Sequence, residues 1–286
     1  MMRIEFLGTA GATTTPRPGC QCRVCVQARQ RGVPYSRSGP GIFVHGPDVL
    51  IDTSEDIIQQ LNRAGITRVA AGLYSHWHPD HTMGRRVWEL LNVDFRHWPP
   101  TGGTTDVYLP EQVAADFGRW LGLQAHFDFL SQQGYTRVHT IPDGETITLG
   151  EVCIRPFRLA ASYVYAFIFE ERGRRVLIVP DELVGWEPPE FTRGVDLAIL
   201  PMGVVEHDPL SGGRRIPADH PVLEIEATFA QTLAMLEAIA PERAILTHIE
   251  EQDGYSHDDL VEIAAALRAQ GRQVEFAYDT LSVDVG

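Results

Sequence analysis

The stretch Ser75-His76-Trp77-His78-Pro79-Asp80-His81 sets three imidazoles and a carboxylate within six residues, a density that few folds can use. In extended backbone alternate side chains share a face, so His76 and His78 converge on one ion. Pro79 rules out a regular helix at that point and favours a turn, after which adjacent Asp80 and His81 aim elsewhere. The spacing suits two neighbouring metal sites, each taking borderline-soft nitrogen and hard oxygen ligands. A His-rich surface turn is the plain alternative; spacing and chemistry favour the metal site. The preceding segment, Arg68 to Tyr74, reads as a buried strand that delivers this loop to a sheet edge.

The 286 residues can bury one large α/β core or two small ones. No apolar run approaches the roughly 18 residues of a membrane span. The start, Met1 to Gly8, is too short and too charged for a signal peptide, so a cytoplasmic location is expected. The formal net charge of −14 argues against a polyanionic partner such as nucleic acid.

Taken in order, Arg3 to Leu7 alternates as a strand and ends in the small-residue turn Gly8-Thr9-Ala10-Gly11. Cys20, Cys22 and Cys25 follow within six residues, while Cys153 is remote. An odd local count in a reducing compartment disfavours disulfides; a structural zinc held by three thiolates and one outside ligand fits better. Gly41 to His45 and Asp48 to Asp52 read as two short strands, and Ser54 to Ala64 as an amphipathic helix capped by Ser54 and stopped by Gly65. Thr82 to Leu90 reads as a helix leaving the histidine loop, Pro110 to Trp120 as a helix opened by proline, and Glu224 to Ala240 as another. The aromatic-rich stretch from Gly122 to Gly134 gives no clear element. His97, His126 and His139 read as surface or packing histidines. Three apolar strands end at chemistry-bearing residues: Leu50-Ile51-Asp52, Val176 to Asp181, and Arg243 to His248.

His76-x-His78-x-Asp80-His81 resembles the hallmark of the metallo-β-lactamase superfamily, which implies a four-layer αββα sandwich with a one- or two-metal site at the sheet edges. Leu7-Gly8-Thr9 followed by Cys20-x-Cys22-x-x-Cys25 resembles the N-terminus of the phosphodiesterase of the bacterial phosphonate-breakdown (carbon–phosphorus lyase) pathway and its relatives. The resemblance runs from Arg3 to the C-terminus, so residues 1–286 are expected to form one domain.

That resemblance implies roles for particular residues. His76 and His78 would hold one ion, and Asp80, His81 and His248 the other. Asp181 would bridge, with Glu182 as a nearby rival, and Asp52 would brace the histidine loop by hydrogen bonds. Relatives carry a non-ligand His against the scissile phosphate or leaving group, and His220 fits that place. Arg214 and Arg215 could meet a phosphate. The related enzyme completes its cysteine site with a His three positions after the strand histidine. This chain has Glu251 there and His257 further on, and His257 is the candidate fourth ligand, although Ser256 also reads as the cap of a helix that follows. Relatives also place a metal-binding His where this chain has Ala160 and Ala161. The first ion is then expected to be weak, or to be served by His207 or His220, or to be missing.

The function expected is a metal-dependent phosphodiesterase on a small or cyclic phosphate ester, using one or two divalent ions (Zn, Mn or Fe) and a structural zinc. Asp80 and His220 would be its catalytic side chains, and a homodimer would be compatible with this. The rivals are a hydrolase of a carboxylic ester, thioester or lactone, a ribonuclease Z-like nuclease, and a metal-binding protein without turnover.

Overall fold

The computed structural model describes residues 2–286. The first half runs β1 (Met2–Gly8), α1 (Arg23–Arg31), β2 (Gly41–His45), β3 (Val49–Ile51), α2 (Ile57–Ala64), β4 (Ala71–Leu73), α3 (Pro79–Thr82), α4 (Val87–Asn92), β5 (Thr105–Pro110), α5 (Glu111–Phe117), α6 (Leu123–Gln132) and β6 (Thr136–Ile141). The second half runs β7 (Ile147–Leu149), β8 (Val152–Arg158), β9 (Tyr165–Glu171), β10 (Arg174–Ile178), β11 (Leu197–Pro201), α7 (Val222–Ile225), α8 (Phe229–Ile239), β12 (Arg243–Thr247), α9 (His257–Ala269), β13 (Val274–Phe276) and β14 (Ser282–Val285).

Two seven-stranded mixed sheets result, ordered β14-β1-β2-β3-β4-β5-β6 and β13-β12-β11-β10-β9-β8-β7. In each, one half is antiparallel and the other, β3 to β6 or β10 to β13, is parallel. The period of two along a strand sorts the second sheet into two cores. Ile154, Phe167, Phe169, Val176, Ile178, Ile199 and Ile245 face the first sheet and pack with Phe6, Ile51 and Val107. The alternate residues Ala166, Ile168, Leu177, Val179, Ala198, Leu200 and Leu246 face outward, under Leu233 and Leu236 of α8 and Leu260 and Ile263 of α9. Helix residues Ile57, Leu61, Val113 and Phe117 cover the outside of the first sheet. The layers are helix, sheet, sheet, helix, the expected αββα sandwich.

Several local expectations are corrected. α2 starts at Ile57, because Ser54 spends its backbone carbonyl on Ile57 N while its hydroxyl finds no partner and Asp56 turns to Gly39 N. Pro79 opens a one-turn helix, since a missing N–H costs nothing at a first helical position. The helix after the loop is delayed to Val87–Asn92. The span 224–240 is broken at Glu226, where extended backbone lets Val204 N donate to Ala227 O; α8 then restarts on a Thr228/Gln231 capping box. The stretch after Gly122 is helix α6, with Phe127 buried.

Candidate metal centre and the cleft beside it

The carboxyl ends of parallel strands β3, β4, β10 and β12 lie at one edge of the sandwich and carry Asp52, the histidine loop, Asp181 and His248 there. Tyr165 N donates to Ser75 O and ties the two sheets together at this edge. Two groups of ligand atoms form, each mutually within 4.8 Å: Asp80, His81, Asp181 and His248, and His76, His78 and Asp181. Asp181 belongs to both. Its Oδ2 lies 3.5 Å from His76 Nε2 and 3.6 Å from His81 Nε2, and its Oδ1 lies 3.5 Å from His248 Nε2.

The rings are held from behind. Asp52, 2% exposed and in left-handed backbone (φ 60°), accepts from Ser75 N at 2.8 Å and Ser75 Oγ at 2.7 Å, and contacts His81 Nδ1 at 2.7 Å. Ser75 Oγ lies 2.9 Å from His76 Nδ1. With those nitrogens engaged, His76 Nε2, His81 Nε2, His248 Nε2 and Asp80 Oδ2 are all buried without a hydrogen-bond partner. Buried polar atoms are rarely left so, and these four, one in the His76 group and three in the other, are donors of the kind that divalent cations satisfy. Gly11 lets this edge close: a Cβ there would meet Glu250 Oε1 at 2.0 Å and His248 Nδ1 at 2.9 Å.

Electrostatics point the same way. Burial disfavours charge on His81, yet Asp80 and Asp52 outweigh it and hold its pKa well above the ordinary value. Burial likewise opposes the charge on His248, but Asp181 and Asp80 raise it to about 9. Burial, with His76, pushes His78 down to about 4. Against burial, His81 and His248 hold Asp80 far below the usual carboxylate range, and His248 and His76 do the same for Asp181.

A cavity of about 530 Å³ lies beside the centre, lined by Val204, Arg215, Ile216, His220, Glu226 and Glu250 among others. Glu226 and Glu250 also line the small cavity that reaches Asp181, Glu182 and His248. Burial, then Asp181 and Glu182, push Glu226 up to about 7. His220 is exposed on this cavity, its Nδ1 accepting from Val222 N at 3.1 Å, and it joins neither ligand group. His207 is turned away, 3.7 Å from Glu206, so neither histidine joins the first ligand group, the substitution that is one of three alternatives there. Arg214 pairs with Glu206 at 2.6 Å, while Arg215 lies over Tyr255 and reaches Asp253 O. Of the remaining histidines, His97 and His139 contact Asp94 and Asp106, and His126 stacks on Phe129.

The cysteine site needs a correction. Cys20, Cys22 and Cys25 converge on one oxygen, Glu251 Oε1, at 3.1, 3.0 and 3.0 Å. Arg17 Nε holds the other oxygen at 3.0 Å. Three thiols and a carboxylate oxygen make a four-donor set suited to zinc. His257 is elsewhere: Ser256 caps α9 with a Ser256/Asp259 capping box, and the His257 ring lies edge-on to Tyr35 and Tyr278. Sequence reasoning also missed Ser75, Tyr163 and Glu226. Only Glu251 had a usable signal, its three-residue distance from His248.

A family profile described as the beta-lactamase superfamily domain matches residues 48–249. A diphosphatase from the PhnP family has a similar solved structure, with TM-score 0.71 at 22% identity over 99% of this chain and 98% of that one. Zinc-bound PqqB from Methylobacterium extorquens superposes with TM-score 0.70 at 18% identity, covering 99% of both chains. At those identities the likeness is one of fold. An octanoyltransferase of Porphyromonas gingivalis is 39% identical over 84 residues; the match covers 29% of this chain and only 17% of that protein's length. The family match takes in Asp52, the whole histidine loop, Asp181 and His248, and on it the chain belongs to the beta-lactamase superfamily.

Proposed function

We propose that this chain is a metal-dependent hydrolase of phosphate esters, acting as one unit on a small or cyclic phosphodiester or on a diphosphate. The observation that carries the reading is Asp181, whose two oxygens serve two ligand groups at once. A carboxylate so shared would serve a pair of divalent cations, the arrangement that suits displacement at phosphorus. When bound, divalent ions acidify water near neutral pH and draw charge from a phosphoryl oxygen.

The chain's own residues do the rest. Asp52 and Ser75 fix the rings of His81 and His76, leaving each Nε2 lone pair aimed at the centre. Asp80 accompanies His81 and His248 and gives the second group a carboxylate beside the shared Asp181. His220 accepts the Val222 N–H on Nδ1, which leaves Nε2 free to meet a phosphoryl or leaving-group oxygen in the cavity by a hydrogen bond. Arg215 on the same wall offers a cation to a second anionic group. The likeness to a PhnP-family diphosphatase over nearly the full length supports this choice of substrate class.

A second reading is a hydrolase of carboxylic esters or thioesters. It is favoured by the apolar side of the cavity, with Val204, Val205, Ile216 and Val222, and by the short octanoyltransferase match. Metal-loaded protein assayed in parallel on bis(p-nitrophenyl) phosphate, cyclic nucleotides, dinucleoside diphosphates and octanoyl thioesters separates the two. Turnover of phosphorus substrates alone is the expected result. Turnover of acyl substrates alone would replace the first reading by the second, and tight metal with no turnover of either would reduce the chain to a metal-binding protein.

A further inference from the structure

We propose that Glu182 is a ligand of the ion at His76, His78 and Asp181, completing that centre, and that Tyr163 holds it there. The inference rests on the two-ion reading above and adds to it a donor from this chain.

His76, His78 and Asp181 supply three ligand atoms, whereas a divalent ion of this kind is held by four or more donors, not all of which need come from protein. Glu182 stands just outside that ligand group, on its His78 side. Its Oε1 lies 3.7 Å from His78 Nδ1, and its side chain is 12% exposed. Tyr163 Oη donates to the same oxygen at 3.1 Å. The Tyr163 ring also faces both histidines, with centroids 6.2 Å from His76 and 5.6 Å from His78. Tyr163 sits in the turn between β8 and β9 that begins at Ala160 and Ala161. That turn therefore brings a hydroxyl, and through it a carboxylate, to the first centre.

The backbone at this point is unusual. In extended chain, adjacent side chains point to opposite faces, which would turn Glu182 away from the ion that Asp181 serves. Glu182 instead has φ 56°, left-handed backbone that costs a non-glycine residue roughly 1–2 kcal/mol. The twist sets both carboxylates against the histidines. Among the described residues no arginine pairs with either one, and their charged partners are imidazoles. Two adjoining carboxylates in a largely buried site repel unless a cation lies between them. His76 Nε2, fully buried and without a hydrogen-bond partner, points into the same space.

The test is metal stoichiometry and affinity, which do not depend on any substrate. Wild type, Glu182→Gln, Glu182→Ala and Tyr163→Phe are loaded with Co(II) or Zn(II) and titrated with a chelator. Ions are counted by elemental analysis and folding is checked by thermal melting. Because the isosteric Gln keeps the shape, it separates lost ligation from lost fold. The expected result is that both Glu182 variants release one active-site ion at least about tenfold more readily, within the range a lost ligand or ligand support causes. The other ion should change little, and Tyr163→Phe should show a smaller shift in the same direction. Two ions in folded Glu182→Gln and Glu182→Ala, held as tightly as in wild type, would overturn the role of Glu182 and leave the two-ion reading standing. Wild-type protein holding no ion at His76 and His78 would overturn both.

Discussion

The two candidate metal centres share one short segment. His248 belongs to the first and Glu251, three residues on, to the second, yet the centres are built in opposite ways. The histidine–carboxylate centre draws on residues 76 to 81, 181 and 248, brought together by strand ends from both sheets, and its rings are fixed by buried partners such as Asp52. The cysteine centre takes three donors from one six-residue run and a single donor from far away, and its sulfurs meet one carboxylate oxygen and the local backbone N–H groups of Arg17 and Cys22. The first is a product of the fold. A metal at the second would help to make the fold, since it would fasten Cys20 and Cys22 before α1, and Cys25 within it, to the loop after β12. Loss of metal should therefore act on turnover in one case and on stability in the other.

The largest break in that comparison should come from Asp181→Ala. Removing the shared carboxylate should drop turnover by about a thousandfold or more and deplete both active-site ions, while the zinc at the cysteines stays; elemental analysis of the purified variant counts what is left. A smaller effect is expected of Asp52→Asn, which leaves every ligand in place but weakens the contact that orients His81. Metal affinity by chelator competition should fall about 10–100-fold, and an unchanged affinity would show that ring orientation is set elsewhere.

A pH titration sharpens the contrast next. In the metal-free protein the pKa of His81 is well above ordinary and that of His248 is about 9, so both rings carry a proton at pH 7. An ion must displace those protons, hence uptake at pH 7 should acidify an unbuffered solution, and affinity should weaken as pH falls, by about tenfold per unit for each proton displaced. Burial, with the Glu251 contact, likewise raises Cys25 to about 12, so zinc entry at the cysteines should release protons too. The smallest effect on turnover should belong to Cys25→Ser. One zinc should be lost and the apparent Tm should drop by about 5 °C or more, while kcat of the protein still folded stays within about threefold of wild type. A large fall in kcat with unchanged Tm would mean that the cysteine centre also shapes the active site.

The parts legible in the sequence were those whose ligands are neighbours or sit at the end of an apolar strand. The histidine loop declares itself by spacing. Asp181 and His248 each follow a run of buried β residues that can only end at a sheet edge, and the three cysteines announce a soft-ligand site. The fourth donor of that site was not legible. Glu251 and His257 both lie within reach along the chain, and the choice was made by Ser256, whose capping of α9 puts His257 on a helix start against Tyr35 and Tyr278.

The sequence by itself determined the layered α/β architecture, through the alternation that sorts each strand into two faces, and the residue types that gather at the two candidate centres. Tertiary structure alone decided that Asp181 belongs to both ligand groups, that Glu182 faces His78, that His207 and His220 stand outside those groups, and that α7 and α8 are separate. The physical reason is common to all four. Each depends on a backbone turn or a pairing set by residues distant in the chain, such as the left-handed φ at Glu182 or Val204 N reaching Ala227 O, and local propensity carries no record of those partners.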